Sequence, residues 1–224
     1  YSNVIEGYNA QKINDNLKVL MDGYNMPEGY LYKFTGEQEE QAETTEFLSR
    51  AMMILLALIM IILVTQFKSF AKPLIIMASV LFSTIGVFLG IAITRMDFVI
   101  ILTGIGIISL AGVVVNDSLI LVYTANRMRR EGKTAREAVT AAGGLRFRPI
   151  LLTSLTTFAG LSPMLLERSV QAQFLIPMAI SLGFGVLFGT LVTLLLIPCG
   201  YLILDDVHRF FSGIRARLVS GEAR

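Results

Sequence analysis

Few residues in this sequence could do chemistry, and two of them stand side by side. Asn116 and Asp117 lie inside the run TGIGIISLAGVVVNDSLILVYTAN (103–126), which is otherwise apolar. The run is long enough to cross a bilayer, which takes roughly 20 residues. An Asp at the centre of a membrane helix costs roughly 2.5 to 3.5 kcal/mol on insertion scales, so its default meaning is a functional group facing a protein interior or a water path. Arg127 follows ten residues after Asp117, or about 15 Å of helix, which sets the carboxylate near the middle of a hydrocarbon core about 30 Å thick. At that depth it must be protonated, hydrated or paired, and the chemistry on offer is loading and releasing a proton. The structural alternative is a protonated Asp that packs against a neighbouring hydroxyl. Ser109, Gly112 and Asn116 recur at i, i+3 and i+7, so one stripe of this helix is small and polar.

A later apolar run offers partners. Thr153 and Thr157 are four apart, with Gly160 following on the same face and Ser154 and Thr156 nearby. Such hydroxyls can bond across helices or line a water chain, or bond their own backbone carbonyls. Small residues form a second pattern. Gly86 and Gly90 make a GxxxG, and Ser181, Gly185 and Gly189 make a ladder, both of which allow close backbone approach. Other signals fail. Gly132-Lys133-Thr134 resembles the end of a phosphate-binding loop, but the position five before Gly132 is Arg127 and no strand precedes it. His208 is the only histidine and Cys199 the only cysteine, so a metal site or a His-based triad has no material, and the scattered methionines read as core filler.

The elements that hold these residues follow from composition. The chain has 224 residues, 54% hydrophobic and 16% charged, with a mean hydropathy of +0.66. A soluble domain carries about 25% charged residues, so this is a membrane protein. It starts at Tyr1 without Met or a basic leader, and it is expected to be a piece of a longer chain. Five apolar segments, at about 47–66, 73–94, 98–123, 149–166 and 174–204, are long enough to span. Basic residues number two after the first segment (Lys68, Lys72), seven between the third and fourth, and four after the fifth, whereas the alternate loops hold only Arg95 and Arg168. Positive charge marks the cytoplasmic side, so the N-terminal region is expected outside and the C-terminus inside. The Arg-rich loop is explained by topology and calls for no nucleic acid. Residues 1–46 carry three lysines against nine acidic residues and read as aqueous. There Asp15 to Met21 reads as a helix end, and Tyr30-Leu31-Tyr32-Lys33-Phe34 alternates as a strand does. Residues 133–143 predict a cytoplasmic helix capped by Thr134 and Glu137. Pro149 sits in the first turn of the fourth span, and 205–224 forms a basic cytoplasmic tail. The fold class is thus an all-α polytopic membrane bundle of five helices with a short α+β extracytoplasmic N-terminal piece, a fragment of a larger fold.

The runs GVVVNDSLILV (112–122), RMRREGKTAREAV (127–139), LRFRPILLTSLTTFAGLSPM (145–164) and LLLIPCGYL (194–202) together resemble the C-terminal membrane half of resistance-nodulation-division efflux pumps, in particular exporters of hydrophobic and amphiphilic compounds. MPEGYLYKFTGEQEEQ (26–41) is similar to the end of their periplasmic porter domain, so the resemblance covers nearly the whole chain. It implies a multi-pass protein of the bacterial inner membrane that couples inward proton flow to export. Protons are then the coupling ion, with no other cofactor. The resemblance also implies a homotrimer, a missing N-terminal half of the same transporter, a periplasmic adaptor and an outer-membrane channel. The proton site would combine Asp117, Asn116, Thr153 and Arg146. In well-known members a Lys occupies the position of Asn116 and an Asn that of Asp117, so their Lys–Asp switch does not carry over. Asp117 is expected to supplement or replace that Lys. Gly86, Gly90, Gly112, Gly185 and Gly189 are expected at helix contacts. The alternatives are a non-transporting membrane scaffold or truncated remnant, and a metal-exporting or protein-translocating relative of the same superfamily.

Overall fold

A computed structural model describes residues 10–24, 37–96, 98–167, 169–173 and 175–221. The chain divides into two compact units, Tyr1–Phe47 and Leu48–Arg224. In the first, α1 (Ala10–Asp22) is amphipathic. The expected strand at Tyr30–Phe34 lies outside the described residues. All described regular structure is helical: α2 (Glu37–Phe67), α3 (Ala71–Thr94), α4 (Ile100–Arg130), α5 (Ala135–Leu166), the single turn α6 (Val170–Gln173) and α7 (Ile176–Gly221). Five of these helices are long and apolar enough to cross a membrane.

The second unit is organised around α7, which packs against α3, α4 and α5. Lipid tails are as apolar as leucine, so such a bundle is held by close packing and interhelical hydrogen bonds rather than by removal of apolar surface from water. Its core is Ile76, Val80 and Val87 of α3, Leu110, Val114, Leu121 and Val122 of α4, and Val186 and Ile197 of α7. Helix α2 adds Leu63, with Leu55, Ile59 and Phe67 against the core, and turns Met53, Ile54, Leu58, Ile61 and Ile62 outward. Outward faces this apolar suit lipid or further membrane helices. Helices α2 and α3 each end on a basic residue in the left-handed region, Lys68 at φ 48° and Arg95 at φ 53°. That conformation costs a non-glycine residue roughly 1 to 2 kcal/mol, and a cation beside the partial negative charge of a helix C-terminus offsets part of it. After α4 the chain turns at Gly132, whose φ of +92° suits glycine.

One expected boundary is corrected. Residues 135–143 and the fourth span form a single helix of 32 residues, with Pro149 in its interior rather than its first turn. The physical reason is packing. Ala135, Ala138, Val139 and Ala142 are buried in the same core as α4 and α7, which holds this stretch in line with the span instead of along the membrane surface. Proline removes the hydrogen bond to the carbonyl four residues earlier, and that residue, Leu145, is 63% exposed. The capping box is present: Glu137 N–H donates to the Thr134 hydroxyl, and Thr134 N–H donates to the Glu137 carboxylate. Thr134→Ala is expected to cost about 1 kcal/mol and to accelerate hydrogen exchange of the amides of residues 135–140, leaving those after 150 unchanged. Helix α7 likewise runs without a break past residue 204, so span and tail are one element.

Candidate functional site

Asp117 lies seventeen residues from the start of α4 and thirteen from its end, or about 26 Å and 20 Å of helix. It is only 6% exposed, and among the described residues no hydrogen bond or ion pair reaches its carboxylate. Asn116, one residue earlier and about 100° round the helix, is exposed, as are Ser109 and Gly112. The small polar stripe therefore exists, but it faces away from the described bundle, and Asp117 belongs to the opposite, buried side. The stripe corrects one reading. A Cβ on Gly112 would meet no atom within 4 Å, so Gly112 is not a packing glycine among the described residues.

The position of Asp117 is fixed by its neighbour. The fully buried Ser118 bonds Ser79 of α3 at 3.1 Å and Thr193 of α7 at 3.3 Å. A hydroxyl has one proton to give. Ser79 spends its own on the Ile76 carbonyl at 2.7 Å, so Ser118 donates to Ser79 and accepts from Thr193. The chain ends in a backbone carbonyl and cannot pass a proton onward. It is a latch that ties α3, α4 and α7 at the level of Asp117. A second contact joins α5 to α7 through the buried hydroxyls of Ser154 and Thr190.

None of the other expected relay residues bonds the Asp117 carboxylate. The Thr153 hydroxyl is exposed and donates to the Pro149 carbonyl at 2.9 Å. Thr156 and Thr157 likewise bond carbonyls of their own helix. Arg146 Nε donates to Thr124 Oγ1 at 3.0 Å, which ties α5 to α4 seven residues, or about 10 Å, from Asp117. Among the described residues no three His, Cys, Asp or Glu side chains gather as metal ligands.

The spaced glycines do mark close approaches. A Cβ on Gly86 would sit 2.4 Å from Phe188 Cβ and 2.8 Å from the Phe184 carbonyl oxygen, and one on Gly90 would sit 2.6 Å from Phe184 Cβ. At Gly185 the obstacle is Leu110, and at Gly189 it is Val114 together with Ser83. Two further contacts had no repeat to signal them, Gly106 against Ser181 and Gly200 against Ile75. A polar node near the basic end of the bundle also escaped the sequence. The Lys72 ammonium and the Tyr201 hydroxyl both donate to Asn126 Oδ1, at 2.7 and 2.8 Å.

A buried carboxylate in a latched, tightly packed bundle of helices long and apolar enough to span is the arrangement of a polytopic membrane protein. The AcrB/AcrD/AcrF family matches residues 1–205. The chain belongs to that family and is a membrane portion of a resistance-nodulation-division transporter. It is similar to the multidrug resistance protein MdtC of Proteus mirabilis, 31% identical over 92% of this chain and 20% of the relative. It is also similar to the swarming motility protein SwrC of Bacillus subtilis, 27% identical over 90% of this chain and 19% of the relative. A crystal structure of a heavy metal efflux pump has the same fold, with a TM-score of 0.74 and 24% identity over 90% of this chain and 20% of that one. The chain thus spans about a fifth of the length of the relatives it matches.

Proposed function

We propose that this chain is part of a proton-driven exporter of hydrophobic or amphiphilic compounds in a bacterial inner membrane, and that Asp117 is its proton-loading group. The observation that carries the reading is a buried carboxylate at mid-length of α4 to which no described residue gives a hydrogen bond or a countercharge. Intramembrane carboxylates of this kind mark proton relays. The latch through Ser118 gives proton binding a mechanical consequence, because any shift of α4 at Asp117 is shared with α3 and α7. In the complete transporter Asn116 and Thr153, both on outward faces here, are available to further helices, and Arg146 holds α5 to α4. The full machine is a trimer with a periplasmic adaptor and an outer-membrane channel, its basic loops cytoplasmic and residues 1–46 periplasmic. The multidrug names of several relatives support the substrate class. The test is reconstitution of the complete transporter in proteoliposomes with an amphiphilic dye. An imposed proton gradient is expected to drive dye movement that a protonophore abolishes. Transport that persists undiminished with the gradient collapsed would overturn the proposal.

A further inference from the structure

A cavity of about 700 Å³ opens at the basic end of the bundle, among α2, α3, α4 and α7. Its volume is within the range of ligand sites, roughly 300 to 1,000 Å³. Four cations line it, Lys72, Arg127, Arg129 and Arg130, against a single carboxylate, Asp205. That carboxylate is occupied, bonded by Arg129 and, at 2.8 Å, by Arg209. Arg127 has its own partner in Glu131, at 3.2 Å. The ammonium of Lys72 has no carboxylate partner: it donates to the Asn126 oxygen and lies over the Tyr201 ring, whose centroid is 5.6 Å away, with the charges of Arg129 and Arg130 acting on it. Arg130 has no partner among the described residues. The cavity therefore holds positive charge in excess of what the protein neutralises, with Lys72 and Arg129 fixed by their contacts and Arg130 exposed at the cavity edge.

The neutral partners add direction. An ammonium and a hydroxyl both donate to Asn126 Oδ1, so that oxygen is spent and the amide N–H₂ remains a donor. Apolar surface from Phe67, Leu204 and Val207 lines the same space. Donors and cations above apolar walls, at the ends of membrane helices, match a group that is anionic at one end and greasy at the other. Basic pockets between helices at this depth hold phosphate headgroups.

We propose that this cavity binds a phosphate-bearing anion, with Lys72 and Arg130 as its principal contacts. The site is separate from Asp117 and does not depend on which compound is exported. The test uses the complete transporter, delipidated in detergent, with native mass spectrometry as readout. The probes are a phosphatidylglycerol, a phosphatidylcholine of the same chains, and inorganic phosphate. Phosphatidylglycerol is expected to be retained over phosphatidylcholine, and retention to fall about fivefold for each charge removed in Lys72→Gln and Arg130→Gln. Lys133→Gln, outside the cavity, should leave it unchanged. Arg130→Gln removes no described packing or hydrogen bond, so its effect is readable even if Lys72→Gln disturbs the fold. Displacement by millimolar phosphate would identify a soluble phosphate as occupant of the same site, and failure to displace would identify the lipid. Equal retention of both lipids with no phosphate binding, or unchanged binding in Arg130→Gln and Lys72→Gln alike, would overturn the proposal.

Discussion

Asp117→Asn is expected to lower proton-coupled export by the complete transporter on the order of 100-fold, the lower range for loss of a proton-transferring group, without loss of membrane insertion or assembly. Asparagine has the volume of a protonated aspartic acid and keeps a donor and an acceptor, but it cannot release a proton. Were Asp117 only a packing residue, the amide would imitate it and transport would survive. The latch beside it is made by Ser79, Ser118 and Thr193 and does not involve the Asp117 side chain, so α4 should stay in place in the variant. Dye efflux under an imposed proton gradient, alongside size-exclusion chromatography of the same preparation, separates the two effects. Loss of transport with a normal elution profile is the expected pair.

The second large effect is structural. Gly86→Val is expected to destabilise the transporter by about 3 kcal/mol or more, at the upper end of overpacking costs. The added atoms meet Phe188 Cβ at 2.4 Å and the Phe184 carbonyl oxygen at 2.8 Å, which belong to the α7 backbone or to its root and cannot swing aside. Gly112→Ala has the opposite sign. Its Cβ meets nothing, and a glycine in a helix interior gives up roughly 0.5 to 1 kcal/mol relative to alanine. Melting temperatures of the two variants should therefore move in opposite directions. Equal losses would mean that Gly112 is a contact in the complete protein and that the outward face of α4 is packed there.

The five spans were legible because hydropathy over 20 residues is a property of the chain alone, and α3 was read to within two residues. The start of α5 was not. Pro149 beside Arg146 and Arg148 looks like a helix start, and what overrides it is the burial of Ala138 and Ala142, which only the assembled bundle supplies. Glycine spacing identified Gly86, Gly90, Gly185 and Gly189, where a repeat lies on a face that happens to be covered. Spacing cannot say which face that is, and Gly112 fell on the other side. The latch was unreadable for a different reason: Ser79, Ser118 and Thr193 come from three helices, with 39 and 75 residues between partners. Lys72 was counted as a topology charge, and its place against Asn126 and Tyr201 depends on how α3, α4 and α7 pack.

Infrared difference spectroscopy of the complete transporter, stepped through pH, addresses Asp117 most directly. A proton-loading Asp117 must give a protonated carboxyl C=O band that appears and disappears with pH, shifts in D₂O and is missing from Asp117→Asn. A spectrum in which no band titrates, or in which the titrating band is the same with and without Asp117, would contradict the role assigned to it.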